Sequence, residues 1–373
     1  MKKKKNAFTL IELLAIIVIL AIIAVITVPI ILNIIENSRR GAATDSAYGY
    51  RDAVNKYYVT ELSKNNKLML NDTYTVNSDG SLSGGNFGDD EVQSLPISIS
   101  GTVPTSGTLT YSNNTLTSGC LIIGDYAVTF ADGSVSNTKK GVCPSFADDE
   151  WATIVTNLKT NRSSYPIGSE KIVEIDVDEN GIPENYAVRL VNTSSCSNWN
   201  GSKTACGVVI EFKDIITMRN FNSSFSNRGG WPETTTTNPL YTYVNTTLFN
   251  KLPEELRNVI IDTFVVSGYE FKKTENYTST DKLYLLSYVE LFGSDYETDS
   301  VKTTDTKQLK FYEIHNTDNY RIKYLNGTPQ TYWLRSATSN VGMTYFTVDE
   351  NGNIGTMGSP GSGGVVLAFR ILD

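Results

Sequence analysis

The sequence predicts an α+β protein: a long amino-terminal transmembrane helix, packed beyond the membrane on a small β-sheet headpiece, followed by a separate α+β domain. Three observations predict it. An apolar run occupies Phe8 to Ile35. A helically spaced stripe of Ala and Tyr follows it. The remaining sequence then changes to short alternating runs separated by clusters of Asn, Asp, Gly, Ser and Thr. With 373 residues, the chain has room for two or three domains, each with its own core.

The apolar run reads FTLIELLAIIVILAIIAVITVPIILNII, and Glu12 is its only acidic or basic residue. About 20 apolar residues cross a bilayer as a helix. Lys2 to Lys5 precede the run, and positive charge marks the cytoplasmic flank, so everything after Arg40 is expected outside. A secretory signal has a shorter apolar core and is cut after it at small residues. Here the run passes into Asn33, Glu36, Asn37, Ser38, Arg39 and Arg40 without an Ala-x-Ala-like pattern. Glu12 is the oddity. An acidic residue near mid-membrane is unfavourable by about 2.5 to 3.5 kcal/mol, less towards the interface, so it calls for a partner.

The lysine-rich leader, a small residue and then Phe8-Thr9-Leu10-Ile11-Glu12 resemble the signature of type IV prepilins and pseudopilins. The resemblance implies that a prepilin peptidase cuts between Ala7 and Phe8, that the new amine of Phe8 is methylated, and that Glu12 registers subunits during assembly. Cutting on the cytoplasmic side leaves a cationic amine on Phe8, which a neighbour's Glu12 can neutralise. Ala7 stands where the family usually has Gly, and Ala is the next smallest residue. Pro29 fits as well, since the family often has a helix-kinking Pro near this depth, where a missing N–H loosens the backbone.

The chain is accordingly divided into a cleaved leader at 1–7, a transmembrane and assembly helix at 8–35, a pilin-like helix extension with β headpiece at 36–147, and a surface-exposed α+β domain at 148–373. Beyond the membrane, Ala43, Ala47, Tyr50, Val54, Tyr57 or Tyr58 and Leu62 recur three or four residues apart. Residues 8 to about 65 would form one helix of roughly 85 Å, with Gly41 and Gly49 as flexible points. In the headpiece, Thr73–Val76, Thr108–Tyr111 and Tyr126–Phe130 read as strands. Asp132-Gly133 suggests a hairpin turn that would bring Cys120 and Cys143 near one sheet edge.

Formal net charge is −8; without the four leader lysines, 28 Lys+Arg stand against 40 Asp+Glu, or −12. So acidic a body argues against nucleic acid as a partner. The four cysteines fall as two near pairs, Cys120 with Cys143 and Cys196 with Cys206. Neither pair has the short spacing of zinc or redox sites, and the Tyr-, Thr- and Asn-rich composition is that of an exported protein. Two local disulfides in an oxidising compartment are the better reading over free thiols.

In the second domain, Trp151 and Tyr165-Pro166-Ile167-Gly168 read as a leading helix followed by strands, beginning with Lys171–Val177. Asp176-Val-Asp-Glu-Asn-Gly181 imitates the start of a calcium loop, but its twelfth position is Ala187 rather than Glu, so a hairpin turn at Asn180-Gly181 is preferred. A similar turn is expected at Asn351-Gly352, between Tyr345–Val348 and Ile354. Residues 252–262 place Leu252, Leu256, Val259 and Ile260 on one face of an amphipathic helix. Residues 282–292, KLYLLSYVELF, are rich in strand formers and are expected in the sheet centre.

Gly229-Gly230-Trp231, Lys282–Ser287, Tyr332-Trp-Leu-Arg-Ser336 and Gly364–Ile371 resemble an uncharacterised domain family of bacterial surface proteins. That family is distantly similar to the C-type-lectin-like fold of formylglycine-generating enzymes, whose Gly-Val-Arg-Pro-Ala-Phe ending is Gly-Val-Val-Leu-Ala-Phe369 here. Trp333 and Arg335 are ligand-contact candidates, by stacking or pairing with an anionic or sugar ligand. The competing reading, which carries more weight, has Arg335 capping a buried Asp or Glu.

No enzyme is expected: His315, the only histidine, lies in a polar loop-like stretch, and no nucleophile elbow, zinc-binding helix or phosphate loop supports a catalytic set. Neither cofactor nor metal is expected. The expected partners are prepilin peptidase, other pilin subunits, the membrane, and a surface glycan or protein. A large added domain would crowd every position along a filament shaft, so a minor or tip subunit displaying a binding domain is expected. The alternatives are a membrane-anchored adhesion protein and a secretion or competence pseudopilin.

Overall fold

In the first half of helix α1 (Leu10–Ser63), the apolar side chains through Ile35 are exposed all round. Such a helix has no stripe to bury against its own protein and is matched to an apolar solvent. The window of highest mean hydropathy, 3.3, is 0% buried. The computed structural model describes residues 10–64, 67–85, 87–88, 92–197, 199–222, 231, 238–267, 276–293, 306–338 and 344–373. Over them α1 is continuous through Pro29, Gly41 and Gly49, and at 54 residues it measures about 81 Å.

The chain divides into two units, Met1–Cys143 and Pro144–Asp373, each with its own apolar core. In the first unit the second half of α1 buries Ala43, Ala47, Tyr50 and Val54. The stripe ends sooner than its spacing implies: Tyr57 and Tyr58 are half-buried or less, and Leu62 is 41% exposed. These residues face strands β1 (Thr73–Val76), β2 (Leu82–Ser83), β3 (Ser94–Leu95), β4 (Ser106–Ser112), β5 (Thr115–Ile123), β6 (Tyr126–Ala131) and β7 (Ser134–Lys140). The strands form one antiparallel sheet in the order β3-β2-β1-β4-β5-β6-β7. Hydrogen bonds fix the helix on it: Tyr50 Oη donates to Gly80 O at 2.9 Å, Val135 N donates to Tyr48 Oη at 3.0 Å, and the Thr44 and Thr138 hydroxyls lie 2.8 Å apart.

The β6–β7 hairpin turns on Asp132 and Gly133, both at positive φ (48° and 74°), as a tight two-residue loop requires. Cys120 and Cys143 are bonded. The expectation that both lie at one sheet edge needs correction. Cys143 follows edge strand β7, but Cys120 sits on interior strand β5, opposite Thr129 of β6. The bond therefore ties the sheet interior to the segment leaving it.

The second unit opens with α2 (Trp151–Thr160), whose Trp151, Ile154 and Leu158 are buried. A four-stranded sheet contains β8 (Glu170–Ile175), β9 (Glu184–Asn192), β10 (Val208–Phe212) and the final strand, in the order β20-β10-β9-β8, with β20 at Ala368–Leu372. A five-stranded sheet combines β11 (Thr217–Asn220), β16 (Tyr332–Ala337), β17 (Thr344–Val348), β18 (Ile354–Gly358) and β19 (Ser362–Val365), in the order β11-β19-β16-β17-β18. Two small ribbons, β12 (Thr263–Ser267) with β13 (Tyr277–Asp281) and β14 (Tyr324–Leu325) with β15 (Thr328–Pro329), complete the strands. Helical stretches α3 (Pro239–Thr242), a π-turn at Tyr243–Leu248, α4 (Phe249–Lys251) and α5 (Glu254–Arg257) lead into β12. Two more helices, α6 (Tyr288–Phe292) and α7 (Lys310–Ile314), precede β14.

Two expectations change here. The amphipathic helix over 252–262 is only the four residues of α5, although Leu252, Leu256 and Ile260 are buried as its pattern implies. At Ile261 the chain bridges to Arg370 and extends into β12, which ends helical pairing. Residues 282–292 are not a central strand. Tyr284 makes one isolated bridge to Ala368, and Ser287 then caps α6. Leu283 to Leu286 are buried as individual anchors, while the Ser287–Glu290 pair satisfies two helix-start amides reciprocally.

Candidate functional sites

Ala7 and Phe8 lie outside the described residues. Glu12 falls in the first turn of α1, on an exposed position of the apolar segment. Pro29 lies seventeen residues further along the same exposed segment, and the helix continues through it.

In the second unit, Trp333 and Arg335 are both 0% exposed, which corrects their candidacy as ligand contacts and agrees with the weightier reading of Arg335 as the cap of a buried carboxylate, here Glu290. They belong to adjacent interior environments of β16. The Trp333 indole donates to Arg219 O at 2.8 Å and packs edge-on to Phe221 and Tyr345. Gly363 makes room for it: a Cβ there would lie 2.7 Å from the indole nitrogen. Arg335 uses every N–H donor of its guanidinium internally. It bonds Val266 O (3.1 Å), Leu285 O (2.8 Å), Thr204 Oγ1 (3.2 Å) and both carboxylate oxygens of Glu290. Thr204 and Thr306 also donate to Glu290. Burial alone would raise the Glu290 pKa, but the Arg335 charge and these hydrogen bonds hold it below the usual carboxylate range.

Sequence reasoning missed a second buried ionic cluster. Glu211 on β10 accepts from Arg189 of β9 and from Tyr312 of α7 (2.8 Å), and lies 3.3 Å from Lys323 Nζ. Here too burial raises the carboxyl pKa, but the Lys323 and Arg189 charges outweigh it. Lys323 pays for the crowding of cations: burial first, with Arg189 adding to it, brings its ammonium down to about 8 despite Glu211. Asp281 is a third buried carboxylate, held by Trp231 Nε1 (3.1 Å), Tyr241 Oη (2.8 Å) and Ser279 Oγ (2.8 Å). Burial nevertheless leaves its pKa raised. Glu290 and Glu211 are thus charge-paired inside the fold, while Asp281 is held by neutral donors.

At the β8–β9 hairpin, carboxylate oxygens of Asp176, Asp178 and Glu184 lie within 4.8 Å of one another. The turn's own amides bond them: Asn180 N and Gly181 N to Asp176 (3.1 and 2.9 Å), and Val177 N to Glu184 (3.2 Å). With Gly181 at φ 83°, this is the local bonding of an Asx-type turn. His315 stacks on Tyr320 with ring centroids 4.4 Å apart, next to Phe311 at 4.7 Å. The second disulfide, Cys196–Cys206, lies against Arg370, which donates to Cys206 O at 3.0 Å.

The five-stranded sheet carries an open groove of about 520 Å³, bordered by Thr331, Thr347, Glu350, Gly355, Met357 and Ser362 among others. Thr331 Oγ1 donates to Glu350 at 3.3 Å on its rim. Hydroxyls, the carboxylates of Asp349 and Glu350 and the thioethers of Met218 and Met357 make this a polar, acidic surface with apolar patches.

No curated protein and no solved structure matches the chain. Residues 207–371 match a domain of unknown function (DUF6273). Residues 2–28 match the prokaryotic N-terminal methylation motif. The chain thus joins a prepilin-type amino terminus, which makes it type IV pilin-like and marks it for prepilin processing, to a carboxy-terminal domain whose function is not established.

Proposed function

We propose that the protein is a minor or tip subunit of a type IV pilus-like filament, mounted by residues 8–35 and displaying residues 148–373 as a binding module outside the cell. The observation that carries this reading is one chain in which the methylation motif precedes both a helix-on-sheet headpiece and the second unit, Pro144–Asp373. The first two are what assembly requires, and the third is bulk that a repeating shaft has no use for. The amino terminus is cytoplasmic in this reading, because the leader lysines stay on that side. The second unit acts by presentation, not catalysis; its buried carboxylates Glu211, Asp281 and Glu290 are bonded internally, and the open groove on its five-stranded sheet offers a glycan or peptide hydroxyls and the carboxylates of Asp349 and Glu350.

Mass spectrometry of the mature amino terminus tests the mounting: N-methylated Phe8 is expected, and an intact Met1 would overturn it. Immunogold microscopy tests the placement: sparse or terminal label is expected, and dense regular label along whole filaments would make the protein a major subunit. A glycan array probed with the full chain in detergent tests the binding module.

A further inference from the structure

Where α1 emerges from its apolar segment, it and β7 enclose a polar recess of about 420 Å³, lined by Asn37, Arg40, Thr44, Ser136, Asn137 and Thr138 among others. Its depth relative to a bilayer follows from the helix. The apolar run ends at Ile35, and each headgroup layer is roughly 5–7 Å thick. At 1.5 Å per residue, residues 36–40 span about that layer, and an ordinary tilt of about 20° shortens the rise by under a tenth. With the Ile35 end of the run at the hydrocarbon boundary, Asn37 and Arg40 sit at headgroup level, and the excess of the run, about 42 Å long against a core of about 30 Å, is taken up at its other end and by tilt.

Strand β7 descends to the same level. Val135 pairs with Tyr48 of α1 and Thr138 with Thr44 one turn lower. Lys140 lies opposite Tyr126, whose Oη reaches the Glu36 carbonyl at 3.4 Å. The end of β7 thus brings exposed Lys139 and Lys140 to the level of Arg39 and Arg40. The acidic groups at this end are Glu36, Asp125, at the turn whose carbonyl accepts from Gly141 N, and exposed Asp45, next to Thr44 on α1. Four cations against three carboxylates leave the patch net positive on a chain whose formal charge is −8. Val142, two residues past β7, is 79% exposed and apolar. Arg40 Nη2 donates to Asn37 Oδ1 at 3.1 Å, and the other guanidinium N–H groups with the two carboxamide NH2 groups are N–H donors that fit phosphate oxygens.

We propose that the recess between α1 and β7 binds the phosphate of an anionic phospholipid headgroup, with Arg40, Asn37 and Asn137 on the phosphate and Lys139 and Lys140 on the surrounding negative surface. The headpiece is thereby docked on the bilayer before assembly, and leaving the membrane for a filament means releasing that lipid. The inference rests on the membrane-anchoring reading but not on its orientation, since either leaflet of an anionic bilayer presents the same chemistry.

The test uses the full chain in nanodiscs of phosphatidylcholine alone or with about a third phosphatidylglycerol, read by hydrogen exchange of peptides covering 134–142. Basic residues near an anionic surface favour docking by roughly fivefold each. Exchange there should slow at least about fivefold in the anionic discs, and the difference should vanish at about 0.5 M salt and in the variant Arg40→Gln/Lys139→Gln/Lys140→Gln. Peptides from β4 and β5 report that the variant is folded. Equal exchange in both lipids, or slowing that the variant retains, overturns the proposal. Slowing that grows with the number of chains per disc assigns the recess to a second copy and also overturns it. Co-elution of the chain with the disc is scored separately, and its loss would sink the membrane reading instead.

Discussion

Arg335 and Glu290 form a two-pronged ion pair in which neither side chain has any exposed surface. Arg335 belongs to β16, Glu290 to α6, and Thr204 bonds to both. The pair thus joins three segments far apart in sequence. Removing one partner leaves the other charge buried, a destabilisation of about 3–5 kcal/mol, whereas replacing both by apolar residues is often close to neutral. All four tryptophans, Trp151, Trp199, Trp231 and Trp333, lie in this unit, so their fluorescence follows its unfolding alone. In denaturant titrations, Glu290→Met and Arg335→Met should each lose most of that amount, and the double variant much less than their sum. Additive losses would mean that the two groups act independently.

Lys323 predicts an alkaline gain in stability. Burial, joined by Arg189, brings its pKa from an ordinary 10.5 to about 8 in the fold. Between those values the unfolded chain holds the proton and the folded chain does not, so stability rises with pH. From pH 7.5 to 9.5 Lys323 alone contributes a rise of about 2 kcal/mol. Tyr165, Tyr186, Tyr241, Tyr284, Tyr312 and Tyr332, whose pKa values are raised chiefly by burial, begin to oppose it as their unfolded counterparts ionise, by about 1 kcal/mol together at pH 9.5, which leaves a net rise of about 1 kcal/mol. Tryptophan-detected unfolding at pH 7.5, 8.5 and 9.5 should show that net rise, and Lys323→Met should replace it by a small fall. A wild-type curve already flat over this range would contradict it.

Glu211 and Glu290 act at the acid end. Both carboxyls lie below their ordinary pKa in the fold. Their stabilisation is therefore complete above the ordinary glutamate value, about 4.3, and is lost as pH falls through the lower folded values. Glu211→Gln should reduce stability at pH 7 and shrink the difference between pH 7 and the acid limit. Equal acid dependence in the variant and the wild type would remove Glu211 from this account.

What the sequence disclosed follows from how local each cause is. The span from Leu10 to Ile35 needs only apolar side chains, and Asp132-Gly133 needs only two residues tolerant of positive φ. Residues 282–292 misled because Tyr, Val and Phe favour strands, yet here they are buried from an extended segment and a short helix. The Ser287–Glu290 spacing was the local signal of that helix. Glu211 sits inside Val-Val-Ile-Glu-Phe, where a charge demands a partner, but Arg189, Tyr312 and Lys323 are brought to it only by sheet pairing and α7 packing. Arg335 was legible as a group needing a carboxylate, while Glu290 as that carboxylate was not.

The two disulfides should differ in what they hold. Cys196–Cys206 closes a separation of 10 residues and Cys120–Cys143 one of 23, so loop-closure entropy alone gives each roughly 3 kcal/mol, slightly more for the longer. The first is anchored against Arg370 in the second unit. The Cys196→Ser/Cys206→Ser variant should lower the tryptophan-detected midpoint. Cys120→Ser/Cys143→Ser should leave that midpoint in place and speed hydrogen exchange in β5 to β7. A shift of the tryptophan midpoint by the latter pair would show that the units unfold together.

Glu12 separates insertion from assembly. It is the one charged side chain on an otherwise apolar segment of α1, at a position where a carboxylate weakens insertion by up to about 3 kcal/mol. Glu12→Ala should therefore insert at least as well as the native chain, measured as the carbonate-resistant membrane fraction. If the carboxylate's role is to meet the cationic amine of a neighbour's Phe8, the same substitution should deplete the protein from sheared filaments while its membrane pool grows. Glu12→Gln, which keeps the shape and loses the charge, should behave like Ala. Filament incorporation restored by Gln would assign the residue to hydrogen bonding, and normal incorporation of both variants would remove it from assembly.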